Sequence, residues 1–315
     1  VSRKRKKPSG YRASPATSAR TPSAAPREAP AVPRFLSWLA PPASDSTWPR
    51  IGRSLARGFI TVGSSPVILL SAFGLLFALW LGLVALGLPG PFNVLVNLLA
   101  LPPVSTYQDA NASFELYGSG GAGLLATGAI LLVRAVVLAL LTALIVRVYE
   151  GEGTVGETVG RGLRVIPVAV VYGLMSMALM LVGNMLQQFL GAGLGLLGSL
   201  LSMVAALFFF VFAPVIALRE PDDPVVEAVR RGARAALMPG SRHLLMCLLY
   251  IFLSLPLLAV FMPGGPLLGA NPPLATWIYA LVGTYVHLSF LAAFVYRLMA
   301  IEDEIPDEPV KRRRR

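Results

Sequence analysis

The chain has 315 residues, of which 55% are hydrophobic and only 14% charged, with a mean hydropathy of +0.68. A soluble domain carries about 25% charged residues, so this composition excludes an ordinary water-soluble globule, and the single cysteine, Cys247, excludes an internal disulfide. The formal net charge of +11 would point to nucleic acid in a soluble protein, but here its distribution along apolar runs gives it another meaning.

Residues 1–50 are rich in Ser, Pro, Ala and Arg. Such a segment cannot bury enough apolar surface to fold alone, which predicts a disordered basic tail. Its positive stretch is too long for a secretory signal, and no apolar core follows closely. Within it RFLSWLA (Arg34 to Ala40) is either a surface-binding patch that dips Phe35, Leu36, Trp38 and Leu39 into a membrane, or a few apolar residues in a tail. Residues 51–300 read as a membrane domain with spans at about 66–88, 122–146, 165–188, 191–218, 243–262 and 275–298. Each comes close to the ~20 apolar residues that a crossing needs. The loop at 89–121 holds Asp109 and Glu115 but no Lys or Arg. Its apolar start, PFNVLVNLLAL, is too short to cross and fits a re-entrant or interfacial segment. Residues 301–315 form a second charged tail.

Twenty-six of the 27 Lys and Arg residues fall on one side of this six-span arrangement, and the exception is Arg134. Basic residues are retained on the cytoplasmic side, so both termini are expected there, which requires an even number of spans. Arg outnumbers Lys, and Ala, Gly, Leu and Val abound. That composition suggests a GC-rich bacterial genome, and hence a multi-pass protein of the bacterial inner membrane.

Two of the basic loops repeat each other. Residues 155–164 read VGETVGRGLR and residues 225–234 read VVEAVRRGAR. At an offset of 70 residues, Val155, Glu157, Val159, Arg161, Gly162 and Arg164 match Val225, Glu227, Val229, Arg231, Gly232 and Arg234. The match extends weakly outward: Glu150 pairs with Glu220 at the same offset, and Ala122-Gly123-Leu124 with Ala192-Gly193-Leu194. Fixed-period similarity marks duplication, and a shift of two spans makes the copies parallel. The expected fold class is therefore all-α: a polytopic membrane helical bundle of about six transmembrane helices with a parallel duplicated helical hairpin.

On a helix, Glu157, Arg161 and Arg164 share one face, as do Glu227, Arg231 and Arg234, with the favourable Glu-before-Arg order at i,i+4. Val155, Val159 and Leu163 line a different face. Each copy is expected to form a short amphipathic helix at the inner interface. Two readings follow. The elbow anchors and orients two spans, or Arg161, Arg164, Arg231 and Arg234 clamp an anionic lipid headgroup or phosphate.

The stretch PVIALREPDDPVVEAVRRGARAALMPGSRHLLMCLL runs from the end of an apolar span through an acidic turn and a Glu-Ala-x-x-Arg helix into a new span. This layout, with Ser65-Pro66 opening the first span, resembles the membrane domain found ahead of some bacterial glycerophosphoryl diester phosphodiesterases, and related six-span membrane proteins. The resemblance covers roughly residues 55–300 and implies a membrane module without hydrolase activity, because the catalytic barrel of those enzymes is absent from this chain.

The inventory of reactive groups predicts no enzyme, cofactor or metal. Two histidines, His243 and His287, and one cysteine cannot assemble the four ligands of a zinc site. No nucleophile elbow, Walker loop or His-Glu-x-x-His occurs, and no carboxylate lies within a span. Arg134 alone is charged at mid-span and calls for a polar partner. Asn184, Gln187, Gln188, Tyr285, His287, backbone carbonyls and a lipid phosphate are the candidates, and outward snorkelling is the alternative. His287 by itself fits a hydrogen-bonded interior histidine. The glycines of GAGLGLLG (Gly191 to Gly198) permit close packing within the bundle or in a homo-oligomer. The terminal RKRKK and KRRRR clusters lack aromatics or a folded reader, so anionic lipid or simple orientation accounts for them better than nucleic acid. The sequence thus predicts a non-enzymatic module that binds or organises lipids, or serves a membrane assembly. The alternative is a transporter or lipid translocator with a cavity near Arg134.

Overall fold

A computed structural model describes residues 48–85, 99–104, 121–151, 153–238, 240–261 and 273–301. The expectations for the two tails, the surface patch, the terminal clusters, Asp109 and Glu115 concern residues outside these. Every regular element among the described residues is helical: α1 (Ile51–Ser64), α2 (Pro66–Ala85), α3 (Gly121–Glu150), α4 (Val155–Leu190), α5 (Ala192–Phe210), α6 (Ala213–Arg219), α7 (Val225–Leu237), α8 (His243–Phe261) and α9 (Pro273–Met299).

Four stretches are long and apolar enough to cross a membrane: Gly128–Glu150, Val155–Gly183, Gly193–Arg219 and Leu281–Met299. The bent pair α1 and α2 makes a fifth if counted as one span. The described apolar part of α8, His243–Leu257, is shorter. Its 15 residues rise about 22 Å, against a hydrocarbon core of about 30 Å. The protein is thus an all-α bundle with four or five apolar helices of spanning length among the described residues.

α1 is amphipathic. Ser54, Gly58, Thr61 and Val62 are buried at helical spacing and lie against α9. Pro66 disfavours helical geometry at Ser65, and the chain bends there by 74° into α2. α4 packs most extensively on its neighbours in sequence, α3 and α5. The core gathers Phe212, Phe290, Phe294 and Tyr250, all fully buried.

The two copies of the repeat fold differently. The first was expected to supply a short helix at 155–164 separate from a span at 165–188. Instead α4 runs unbroken for 36 residues through Pro167. The missing proline N–H removes only the bond to the carbonyl of Leu163, whose side chain is exposed. In the second copy the corresponding stretch is cut. α7 ends at Leu237, and Gly240 (φ +75°) and Arg242 (φ +46°) take left-handed backbone before α8 begins. The preceding helices differ less: α3 is continuous, whereas its counterpart loosens at Val211 and Phe212, which keep right-handed helical backbone, before α6 with Pro214 in its first turn.

The matched glycines have matched work. A Cβ on Gly162 would lie 3.2 Å from the Leu140 Cα, and one on Gly232 3.0 Å from the Ala213 backbone nitrogen. Both elbows press helix backbone on helix backbone, so closely that an added methyl would force the neighbouring helix to give by a few tenths of an ångström.

Candidate functional site

The charged groups of the repeat meet at one end of the bundle. In the first copy, the turn between α3 and α4 is closed by a capping box. Thr154 Oγ1 accepts from the Glu157 N–H at 3.3 Å, and the Glu157 carboxylate accepts from the Thr154 N–H at 2.7 Å. Thr-x-x-Glu before an apolar run is the sequence signature of that box. Glu157 is therefore committed to the helix start, and the expected i,i+4 pair with Arg161 does not form. Arg161 instead reaches back across the turn to Glu150, with Nη1 donating at 2.8 Å and Nη2 at 3.4 Å. Nη2 also donates to the Leu218 carbonyl at 3.4 Å, in the last turn of α6. A cation at a helix C-terminus is favourably placed, so Arg161 ties the first copy to the second.

The second copy repeats the backward pair at the same offset. Arg231 Nη1 donates to Glu220, the counterpart of Glu150, and to Asp223 at 3.1 Å. Glu227 again does not take the i,i+4 arginine: it accepts from Arg230 at 3.1 Å. The Glu-x-x-x-Arg spacing is shared by both copies and used by neither. The pair that is used spans eleven residues and a turn, and its acids, Glu150 and Glu220, were visible only as a faint extension of the repeat.

The four arginines consequently differ. Arg231 keeps 8% of its side chain exposed and Arg161 35%. Arg164 is exposed and makes no hydrogen bond or ion pair among the described residues, while Arg234 is half-buried. Beside Arg161 and Arg164 opens a cleft of about 450 Å³, whose other lining residues are Glu150, Gly153, Glu157, Thr158 and Gly160.

The intramembrane group is only partly assembled. Arg134 faces inward, 6% exposed, rather than snorkelling out. It lies close enough to Tyr250 and His287 to act on both electrostatically. Tyr285, in contrast, donates to the Phe59 carbonyl at 2.9 Å and packs edge-on against that ring, which joins it to α1 instead. The side chains of Asn184, Gln187 and Gln188 lie outside the described ones, although their backbone belongs to α4.

Sequence reasoning missed the residues that complete this region. The Tyr250 hydroxyl accepts from the Leu101 N–H at 2.7 Å and is 3.0 Å from His287 Nδ1. Tyr172 donates to the Pro102 carbonyl at 2.6 Å. Residues 99–104 are buried throughout. The chain therefore packs into the bundle at these six residues; the rest of the expected re-entrant or interfacial segment, residues 91–98, lies outside the described ones. The space that Arg134 shares with Leu99, Ala100, Pro102 and Leu291 is about 10 Å³, room for a single water.

Arg297 was counted in the sequence only as an orienting charge, yet it is fully buried. It donates to the Pro49 carbonyl at 2.9 Å, to Ser54 Oγ at 3.3 Å and to the Ser241 carbonyl, and sits 5.2 Å from the Trp48 ring centre. It clamps the start of α1 and the α7–α8 turn to the end of α9. His243 stacks on Phe212 at 4.4 Å beside this clamp.

No family model, no curated protein and no solved structure matches the chain.

Proposed function

We propose that this chain is a non-enzymatic, multi-pass membrane module that holds lipid headgroups at the charged end of its bundle. The observation that carries the reading is the cleft of about 450 Å³ beside Arg161 and Arg164. It has an exposed guanidinium that no described protein group occupies, on a helix whose outer surface is apolar. Val155, Val159, Leu163, Leu181, Val182 and Met185 are all exposed along α4, as expected of a surface solvated by lipid tails. With α8 counted as a span and α1–α2 as one, the bundle has six crossings and both termini on the cytoplasmic side, in a bacterial inner membrane. The resemblance to the membrane domain of glycerophosphoryl diester phosphodiesterases is kept as part of this proposal.

The four-arginine clamp is narrowed. Arg231 is spent on Glu220 and Asp223 and belongs to the elbow. Arg161 positions the turn, Arg234 is half-buried, and Arg164, the exposed one of the four, is the residue placed to meet a ligand. A transporter built around Arg134 would need a passage, and the space beside Arg134 among the described residues is about 10 Å³. Native mass spectrometry of the full chain tests the reading. Co-purified phospholipid is expected on the wild type and is reduced severalfold by Arg164→Gln. A protein free of lipid, or retention indifferent to that substitution, contradicts it.

A further inference from the structure

The second copy of the repeat fills the place that the first leaves open, and the filling residues state what would fit. At the offset of 70, Asp223 corresponds to Gly153 and Arg230 to Gly160. Asp223 brings a second carboxylate to Arg231, and Arg230 brings a guanidinium to Glu227. One anion and one cation, both from the protein, thus complete the second elbow. In the first copy both positions are glycine, and both glycines line the cleft. A Cβ on Gly160 would meet nothing within 4 Å. Among the described residues, the arginine side of the cleft has no second anion and Glu157 no close cation. Arg147 contributes only a weak field at Glu157 and no ion pair among the described residues.

The lining charges say the same. Glu150 and Glu157 balance Arg161 and Arg164. A purely anionic headgroup would gain Arg164 but sit beside the exposed carboxylate of Glu157. A group with both charges gains at both ends.

We propose that the cleft beside Arg161 and Arg164 takes a zwitterionic phosphoethanolamine group, with its phosphate between these two arginines and its ammonium on Glu157; in the second copy Asp223 holds the matching place at Arg231, the counterpart of Arg161, and Arg230 the matching place at Glu227. This rests on the lipid-binding reading and names the headgroup class. A primary ammonium donates hydrogen bonds to a carboxylate and a quaternary one cannot, so phosphatidylethanolamine is favoured over phosphatidylcholine as well as over phosphatidylglycerol.

The test is native mass spectrometry of the full chain equilibrated with equal amounts of phosphatidylethanolamine, phosphatidylcholine and phosphatidylglycerol. The wild type is expected to retain phosphatidylethanolamine about tenfold over the others, the factor that one charge-assisted hydrogen bond supplies. Gly160→Arg supplies the missing cation three residues after Glu157, as Arg230 does after Glu227. It should abolish the preference and shift retention to phosphatidylglycerol, while Gly156→Ala, on the same helix but outside the cleft lining, leaves the preference unchanged. Gly153 is left alone, because its φ of +93° would strain any replacement. In a parallel arm without lipid, O-phosphoethanolamine is the probe. Retention of the lipid assigns the group to the membrane, and binding of O-phosphoethanolamine alone assigns it to a free metabolite. Phosphatidylglycerol preferred by the wild type, with retention still sensitive to Arg164→Gln, overturns the headgroup assignment and leaves the lipid-binding reading standing. Loss of all retention and of that sensitivity overturns both.

Discussion

The two elbows of this bundle share a sequence and a backward Glu–Arg pair, yet one is closed and the other open. In the closed elbow, Arg231 is buried between Glu220 and Asp223, and Arg230 answers Glu227. In the open one, glycines stand where Asp223 and Arg230 stand, Arg161 is a third exposed, and Arg164 faces a cleft. The difference teaches that the repeated motif is first a structural joint. Function, where it exists, lies at the positions where the copies diverge. The helices carry the same contrast. The closed copy loosens at Val211 and is broken after Leu237, while the open copy runs through both matched places in single helices.

The sharpest way to break this comparison is to remove the two paired arginines in turn. Arg231→Met deletes a buried cation with two acid partners and is expected to cost about 2–3 kcal/mol, toward the lower end of what broken buried pairs cost because Glu220 and Asp223 are partly exposed. Arg161→Met, at a more exposed pair, should cost about 1 kcal/mol or less. Unfolding midpoints in mild detergent read the order, and equal losses would mean that the elbows are not differently built.

The next effect tests what the copies share. Gly162→Ala and Gly232→Ala each drive a methyl against neighbouring backbone, and each should destabilise by about 1–3 kcal/mol. A neutral result at either site would remove the claim of a common joint. A smaller effect separates the copies again. Thr154→Ala removes the side-chain cap of α4, expected to cost about 1 kcal/mol. α7 begins at Pro224 with no side-chain cap, so Pro224→Ala should change stability by less than about 0.5 kcal/mol. Circular dichroism melts of the two variants, run side by side, decide it.

Much of the architecture was legible because apolar length and charge placement are local properties. The span edges expected near 122–146 and 275–298 lie within α3 and α9. The merging of 155–164 with the following span was not legible. Pro167 reads as a break in sequence, and only the surrounding packing shows that α4 tolerates it. The repeat pointed to the right arginines but to the wrong acids, since Glu157 was claimed by the Thr154 cap that its own spacing also encodes. Arg297 escaped notice because its partners, Trp48, Pro49, Ser54 and Ser241, lie far away along the chain. Tyr250 and Tyr172 likewise hold Leu101 and Pro102 through contacts that no periodicity announces.

The central claim is that the open elbow binds lipid and the closed elbow does not. It is tested most directly by comparing Arg164→Gln with Arg234→Gln, the matched positions of the two copies, in one lipid-retention measurement by native mass spectrometry. The account predicts that Arg164→Gln lowers retained phospholipid about tenfold, as loss of a charge-assisted contact does, while Arg234→Gln leaves it within about twofold of the wild type. Equal loss from both variants, or loss from Arg234→Gln alone, would contradict it.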